Sequence, residues 1–114
     1  MEHLNRELRR GSIELIILKL LISEEMYGYQ LMSTVEERAG GVFEIAEGTL
    51  YPVLYRLEDR GFIESYRDNP KRGVPRKYYR VTENGKVYLR DLLHEWRKFS
   101  AIMESLLNEG KVEK

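Results

Sequence analysis

Five side chains between residues 49 and 56 share one property: each is predicted to point away from the buried side of a helix. They are Thr49, Tyr51, Pro52, Tyr55 and Arg56. Their hydroxyl, phenol and guanidinium groups can form hydrogen bonds with phosphates and with the edges of bases. Gly48 and Pro52 are compact enough to let another molecule come close. The pattern predicts a helix whose N-terminal end reads the major groove of a duplex, and a solvated helix face that happens to carry tyrosines stays open as the alternative.

The buried side of the same helix consists of leucines spaced four and three residues apart, at Leu50, Leu54 and Leu57. This spacing places them on one face of an α-helix. The start of the helix has two interpretations. If Thr49 caps the regular helix, Pro52 costs little, because amides in the first turn lack partners within the helix. If the helix begins at Glu47, Pro52 removes a hydrogen bond to the carbonyl of Gly48.

The segment that follows concentrates positive charge. Between Tyr66 and Arg80 there are six basic residues and one acidic residue, a net charge of +5 in a chain whose formal charge is zero. Four of the basic residues are the predicted contacts to a nucleic-acid backbone: Lys71, Arg72, Arg76 and Lys77. Segregated charge of this kind creates a local anion-binding surface. A soluble hairpin that protects its edges with lysine and arginine is the alternative.

Hydrophobic periodicity supplies the elements that position these groups. Helices are predicted over 5–23, 27–39, 47–60 and 83–108, and two alternating strands over 63–67 and 77–81. The predicted core positions of the second helix are Tyr29, Leu31, Met32 and Val35. Gly61 is predicted to end the third helix, and Thr82 to cap the last one. The fold class is mainly α with a small β-hairpin, and three helices before a basic hairpin are the winged helix-turn-helix arrangement.

The last helix carries an apolar stripe that is too long for the rest of the domain to cover. With two leucines of the N-terminal helix, it makes up the predicted dimer interface: Leu4, Leu8, Leu89, Leu92, Trp96, Phe99, Met103 and Leu106. Three-four spacing is typical of a coiled-coil seam, and an uncovered stripe of this size favours aggregation. A second copy of the chain is the simplest cover, and it would set two reading helices against the half-sites of a palindrome. A helix that folds back on its own domain is the alternative.

These features predict a winged-helix DNA-binding domain over 1–82, whose N-terminal helix also joins the interface, and a C-terminal dimerisation helix over 83–114. In such a dimer, two Trp96 rings would flank the centre, where a planar aromatic effector could stack. The predicted lining of that ligand site is Leu93, Trp96, Phe99, Ser100 and Met103. The alternative is that Trp96 is simply a large interface residue.

Two long motifs, GTLYPVLYRLEDRGFIES and RKYYRVTENGKVYL, resemble the PadR family of bacterial and archaeal transcriptional regulators. YGYQLM at 27–32 is similar to the second helix of that family. The EW pair at 95–96 stands where its C-terminal helix often carries tryptophan. The match extends over about 100 residues, 8–108, and therefore covers nearly the whole chain.

The resemblance implies a homodimeric winged-helix repressor, with the short C-terminal region of the compact branch of the family. By position, it assigns the reading helix and the wing to the residues already named for their chemistry. It also implies that Trp96 flanks a site for planar compounds, as in multidrug-sensing members. Two positions depart from the family pattern. Ala46 replaces a capping serine or asparagine, and Ser100 replaces an acid one turn after Trp96, so a preference for cationic drugs is not carried over.

Composition excludes other classes. The chain has 114 residues, of which 42% are hydrophobic and 33% charged, which predicts one globular domain. It lacks cysteine and any membrane-length apolar run, in agreement with a cytoplasmic protein. His3 and His94 have neither ligand nor triad spacing, so we expect no enzyme, no metal and no cofactor. The predicted function is a ligand-responsive, DNA-binding transcriptional regulator. The alternative is a winged-helix protein-interaction module without specific DNA binding.

Overall fold

The computed structural model describes residues 12–68 and 73–108. Four helices are defined, α1 (Ile13–Ser23), α2 (Gly28–Arg38), α3 (Glu47–Asp59) and α4 (Glu83–Leu107), together with three strands, β1 (Met26–Tyr27), β2 (Ile63–Asp68) and β3 (Arg76–Val81). The strands form an antiparallel sheet in the order β1–β3–β2. The predicted fold class, a mainly helical winged helix-turn-helix with a long C-terminal helix, is confirmed. Within the described ranges, no helix is both long and apolar enough to cross a bilayer.

The sheet has one strand more than the sequence predicts. Met26 and Tyr27, which we expect in a connection and at a helix start, pair with Tyr79 and Tyr78 of β3. A two-residue strand carries too little periodicity to be seen in a sequence, and it exists only because β3 offers it an edge. The pairing ties the beginning of α2 to the β2–β3 hairpin, which is the wing of the fold.

The core lies where α1, α2 and α3 meet the sheet. Its least accessible side chains are Ile17, Leu18, Leu31, Leu50, Leu54, Leu57, Ile63 and Tyr79. The predicted leucine stripe of α3 is among them and is therefore confirmed. Val35 is also buried, but Tyr29 is 67% exposed, so its assignment to the core is wrong. Tyr29 precedes Leu31 by two residues, about 200° around a helix of 3.6 residues per turn, and so faces away from the core.

The start of α3 is settled by backbone geometry. The helix begins at Glu47 with Ala46 at the N-cap position, where no side chain accepts a hydrogen bond. The Ala46 carbonyl accepts hydrogen bonds from the amides of Thr49 and Leu50, at 3.0 and 2.9 Å. Of the two starts that the sequence allows, this one places Pro52 inside the helix, where it has no N–H to donate to the preceding turn.

The first turns of α4 are fastened to the turn between α3 and β2. Thr82 caps the helix as predicted: its Oγ1 accepts from the amide of Gly85 at 3.0 Å and donates to the carbonyl of Gly61 at 2.7 Å. Gly85 lies against the carbonyl of Phe62, where a β-carbon would collide with it. Leu89 follows into the core and is only 6% exposed. Because Leu89 packs within its own chain, it offers little surface to a partner, contrary to its place in the predicted interface.

Parts of several predictions lie outside the described residues. They concern the N-terminal portion of the predicted first helix with Leu4 and Leu8, and Lys71 and Arg72 of the predicted hairpin tip.

Candidate nucleic-acid interface

The side of α3 that faces away from the core is open. Its exposed residues are Gly48, Thr49, Pro52, Tyr55 and Arg56. Tyr55 is 56% exposed, with Pro52 beside it at the centre of the face. The packing of Leu50, Leu54 and Leu57 into the core sets this orientation, because helical periodicity places the other side chains opposite the leucines. We call this exposed face, together with Tyr51, the reading face.

Tyr51 leans from one side of the reading face toward the start of α2. Its hydroxyl occupies the position that a β-carbon would take at Gly28, so the glycine makes room for the ring. Burial is the main cause that raises the pKa of Tyr51, and the charge of Glu47 adds to it. The phenol therefore remains protonated near neutral pH and can donate a hydrogen bond. The ring of Tyr55 lies beside it, with 6.2 Å between the ring centroids.

Arg56 leans from the opposite side of the reading face toward α1. Its Nε lies 3.6 Å from Oε2 of Glu14, and about half of the arginine side chain is exposed. The other carboxylate oxygen of Glu14 accepts a hydrogen bond from the Tyr88 hydroxyl of α4 at 2.6 Å. The two edges of the reading face are thus held by neighbouring elements, while its centre is exposed.

The wing brings one of its predicted cations next to α3 and another next to β1. The Arg76 guanidinium lies over the ring of Tyr27, 4.7 Å from its centroid. The Lys77 ammonium lies 5.8 Å from the Tyr55 centroid and 3.9 Å from a carboxylate oxygen of Glu58 on α3. Reading face and wing therefore form one continuous surface of phenols and cations.

A groove of about 250 Å³ lies where the reading face, the wing and the start of α2 meet. Its lining consists of Tyr27, Gly28, Tyr29, Tyr51, Tyr55, Arg76, Lys77 and Tyr79. Neither Tyr27 nor Tyr29 is predicted from the sequence to belong to this surface. A helical wheel of α2 would place Tyr29 on the exposed side of that helix. Tyr27 belongs to the groove only because β1 pairs with β3, and no local pattern in the sequence indicates that pairing.

The second half of α4 exposes an apolar stripe. Its exposed members are Trp96, Phe99, Ile102, Met103, Leu106 and Leu107, with Trp96 45% exposed. Leu92 and Leu93 are partly buried against the core, and Ser100 is partly exposed. Four of the predicted interface residues are therefore exposed on α4 beyond the core, namely Trp96, Phe99, Met103 and Leu106, and Leu92 lies at the edge of the core. The predicted ligand-site residues lie along this same helix.

Comparison with known proteins agrees with the fold. The model of the transcriptional regulator PadR-like family matches residues 17–91. The chain is 41% identical over 101 residues to a protein of Lysinibacillus sphaericus, covering 89% of this chain and 92% of that one. It is 34% identical over 77 residues to the negative transcriptional regulator PadR of Bacillus subtilis, covering 68% of this chain and 42% of that longer one.

Solved structures give the same result. A PadR family transcriptional regulator from Eggerthella lenta superposes with a TM-score of 0.80 at 37% identity, covering 89% of this chain and 86% of that one. Proteins of this family regulate transcription and are not enzymes. The family model spans α3, the wing and the first part of α4, so the match includes the elements that build the reading face. The chain therefore belongs to the PadR-like family of transcriptional regulators.

Proposed function

We propose that this regulator is a homodimeric repressor that binds a palindromic DNA operator, with α3 in the major groove and the wing along the backbone. The observation that carries the proposal is the outward position of Pro52 and Tyr55 beside the cations of the wing. The name of the Bacillus subtilis relative, a negative transcriptional regulator, supports repression. We place the activity of this chain in the cytoplasm, where a regulator of this kind would meet its operator DNA.

Two classes of contact divide the surface. Thr49, Tyr51, Tyr55 and Arg56 present donors and acceptors from one helix face, which suits contacts to base edges in the major groove. Pro52 is compact and has no donor, so it permits the close approach that those contacts need. The wing contributes Arg76 and Lys77, and we assign Lys71 and Arg72 to it as well. These cations suit the phosphates of the backbone, because a contact to a phosphate needs positive charge and does not depend on which base is present.

The exposed stripe of α4 supports the homodimer. Leu92, Trp96, Phe99, Met103 and Leu106 repeat at three-four spacing, and the same stripe on a second chain would cover them by coiled-coil packing. Leu4 and Leu8 are proposed to extend this interface. A twofold axis through the stripe gives the dimer two reading faces that point in opposite directions along the duplex. Each face can then bind one half-site of a palindrome.

The same interface is the proposed effector site. Trp96 is partly exposed on α4, and a twofold axis near it would bring a second indole within reach of a flat molecule. Leu93, Phe99, Ser100 and Met103 would complete the lining. Stacking between aromatic faces favours a small planar aromatic compound. An effector bound there would act on DNA binding through α4, which packs on α1 and on the turn after α3.

A salt titration of DNA binding tests the proposal. Purified protein is mixed with labelled DNA from the region upstream of its own gene, and with a scrambled duplex of equal length. We expect preference for the upstream fragment and a linear fall of log affinity with log salt concentration, of slope about −0.9 for each phosphate neutralised. A winged-helix protein-interaction module would bind both duplexes equally weakly, and that outcome would contradict the proposed function.

A further inference from the structure

Glu14 of α1 joins the reading face to the C-terminal helix. One carboxylate oxygen lies 3.6 Å from Nε of Arg56, and the other accepts the Tyr88 hydroxyl at 2.6 Å. Only 19% of the glutamate side chain is exposed. A carboxylate that is largely removed from water needs charged or hydrogen-bonding partners, and these two groups supply them.

A second contact reinforces the same junction. The ring of Tyr88 stacks on Phe62, with 4.1 Å between centroids and 5° between planes. The Arg60 guanidinium, one residue beyond α3, lies 5.0 Å from the Phe62 centroid and 5.2 Å from that of Tyr88. Tyr88 therefore meets the end of α3 through its ring and Glu14 through its hydroxyl. Rotation of α3 relative to α4 would have to break one of these contacts.

We propose that Glu14 is a positioning residue for DNA binding: by holding Arg56 and Tyr88 together, it fixes the orientation of the reading face relative to the dimerisation helix. This inference rests on the proposed function, because it assumes a dimer on two half-sites. In such a dimer, α4 sets where the twofold axis lies, and α3 sets where each half-site is read. The angle between the two helices therefore determines which spacing of half-sites is accepted.

Operators that differ only in spacing test the proposal. The operator is first selected from random duplexes with the wild-type protein. Versions are then made with one base pair inserted or removed at the centre, which moves one half-site by about 3.4 Å and about 34°. Tyr88→Phe keeps the ring stack and deletes the hydroxyl, whereas Glu14→Gln keeps an acceptor and deletes the charge that holds Arg56. Glu64→Gln is the matched control, since it breaks the exposed pair of Glu64 with Arg80 on the sheet.

We expect the wild type and Glu64→Gln to prefer the selected spacing by about tenfold or more. Tyr88→Phe and Glu14→Gln should each reduce that preference to about threefold or less. The double variant should lose no more than either single variant, because both changes cut the same connection. Thermal unfolding of every variant shows that the compared proteins are folded.

The outcomes separate this inference from the proposed function. A wild-type protein that selects no DNA would overturn the proposed function. A wild type that discriminates spacing, with both variants discriminating equally well, would leave that function intact and overturn the role of Glu14.

Discussion

The hydroxyl of Tyr51 lies where the β-carbon of any residue larger than glycine would stand at position 28. The first residue of α2 and the first turns of α3 therefore approach each other more closely than side chains normally allow. This approach directs Tyr51 along the groove and leaves Tyr55 as the outermost aromatic residue of the reading face. The geometry of the proposed DNA contact thus depends on a residue that cannot itself contact DNA through a side chain.

Gly28→Ala should force Tyr51 out of its position, because the added carbon would overlap the phenol. Because the phenol is the far end of a partly exposed side chain that can turn away, we expect the unfolding free energy to fall by no more than about 1 kcal/mol, together with a weaker preference for the operator. Thermal unfolding and competition binding measure the two effects. Gly48→Ala is the control for stability, since its β-carbon would meet open space, and it should unfold no more easily than the wild type. A Gly28→Ala protein as selective for the operator as the wild type would contradict the role of the close contact.

Tyr55→Ala should separate DNA recognition from stability. The side chain is mostly exposed, so its removal should change the unfolding free energy by no more than about 0.5 kcal/mol. Loss of a base contact should cost about 1–3 kcal/mol of discrimination between the operator and mutated operators. The contrasting variant is Arg76→Ala on the wing. It should weaken binding to all duplexes alike and reduce the salt slope by about one unit, as expected for a phosphate contact. If Tyr55→Ala discriminated between operators as well as the wild type does, the proposed base contact of Tyr55 would be contradicted.

Phe99→Glu should separate the proposed dimer into single chains. Phe99 is exposed on the stripe of α4, so in one chain the substitution removes little packing, whereas in a dimer it buries a charge. Sedimentation velocity should show a shift from two chains to one, together with a loss of operator binding. Arg97→Glu on the same helix is a matched exposed change that should remain dimeric. A wild-type chain that sediments alone at micromolar concentration would contradict the interface.

Trp96 provides a direct optical test of the effector proposal, because the chain has no other tryptophan. Titration with planar aromatic compounds should quench its fluorescence with saturation, and the same compounds should release DNA over the same concentration range. The variant Phe99→Glu should show neither effect, since it lacks the second chain. If a compound released the DNA without changing the fluorescence of Trp96, the effector site would lie elsewhere in the protein.

Alkaline pH should weaken the fold through Tyr79. Burial, and then the negative charge of Glu58, raises the pKa of Tyr79 to about 12, from an ordinary value of 10.0. The folded chain therefore keeps this proton at pH values where the unfolded chain loses it. Its contribution is complete below pH 10 and decreases between pH 10 and 12, by up to about 3 kcal/mol. Urea unfolding of the wild type and Tyr79→Phe at pH 9 and 11.5 measures this, and equal pH dependence in both would contradict it.

Much of the fold can be read from local patterns. The leucines of α3 and the cap at Thr82 are predicted correctly because each depends on residues within one or two turns of a helix. The third strand is missed because it needs β3 as a partner. Tyr29 is misassigned because its aromatic side chain and apolar neighbours favour a core position, although it lies about 200° from Leu31 around the helix.

The amino-acid sequence alone accounts for the order of the helices and the β2–β3 hairpin, the outward chemistry of α3, the charge of the wing and the apolar stripe of α4. These properties follow from composition and from periods of two and 3.6 residues, which each segment carries independently of the others. The chain had to fold before Tyr51 could meet Gly28, Leu89 could enter the core, and Glu14 could stand between Arg56 and Tyr88. Those contacts join residues 23 to 74 positions apart, and periodicity along one element cannot report how two elements pack against each other.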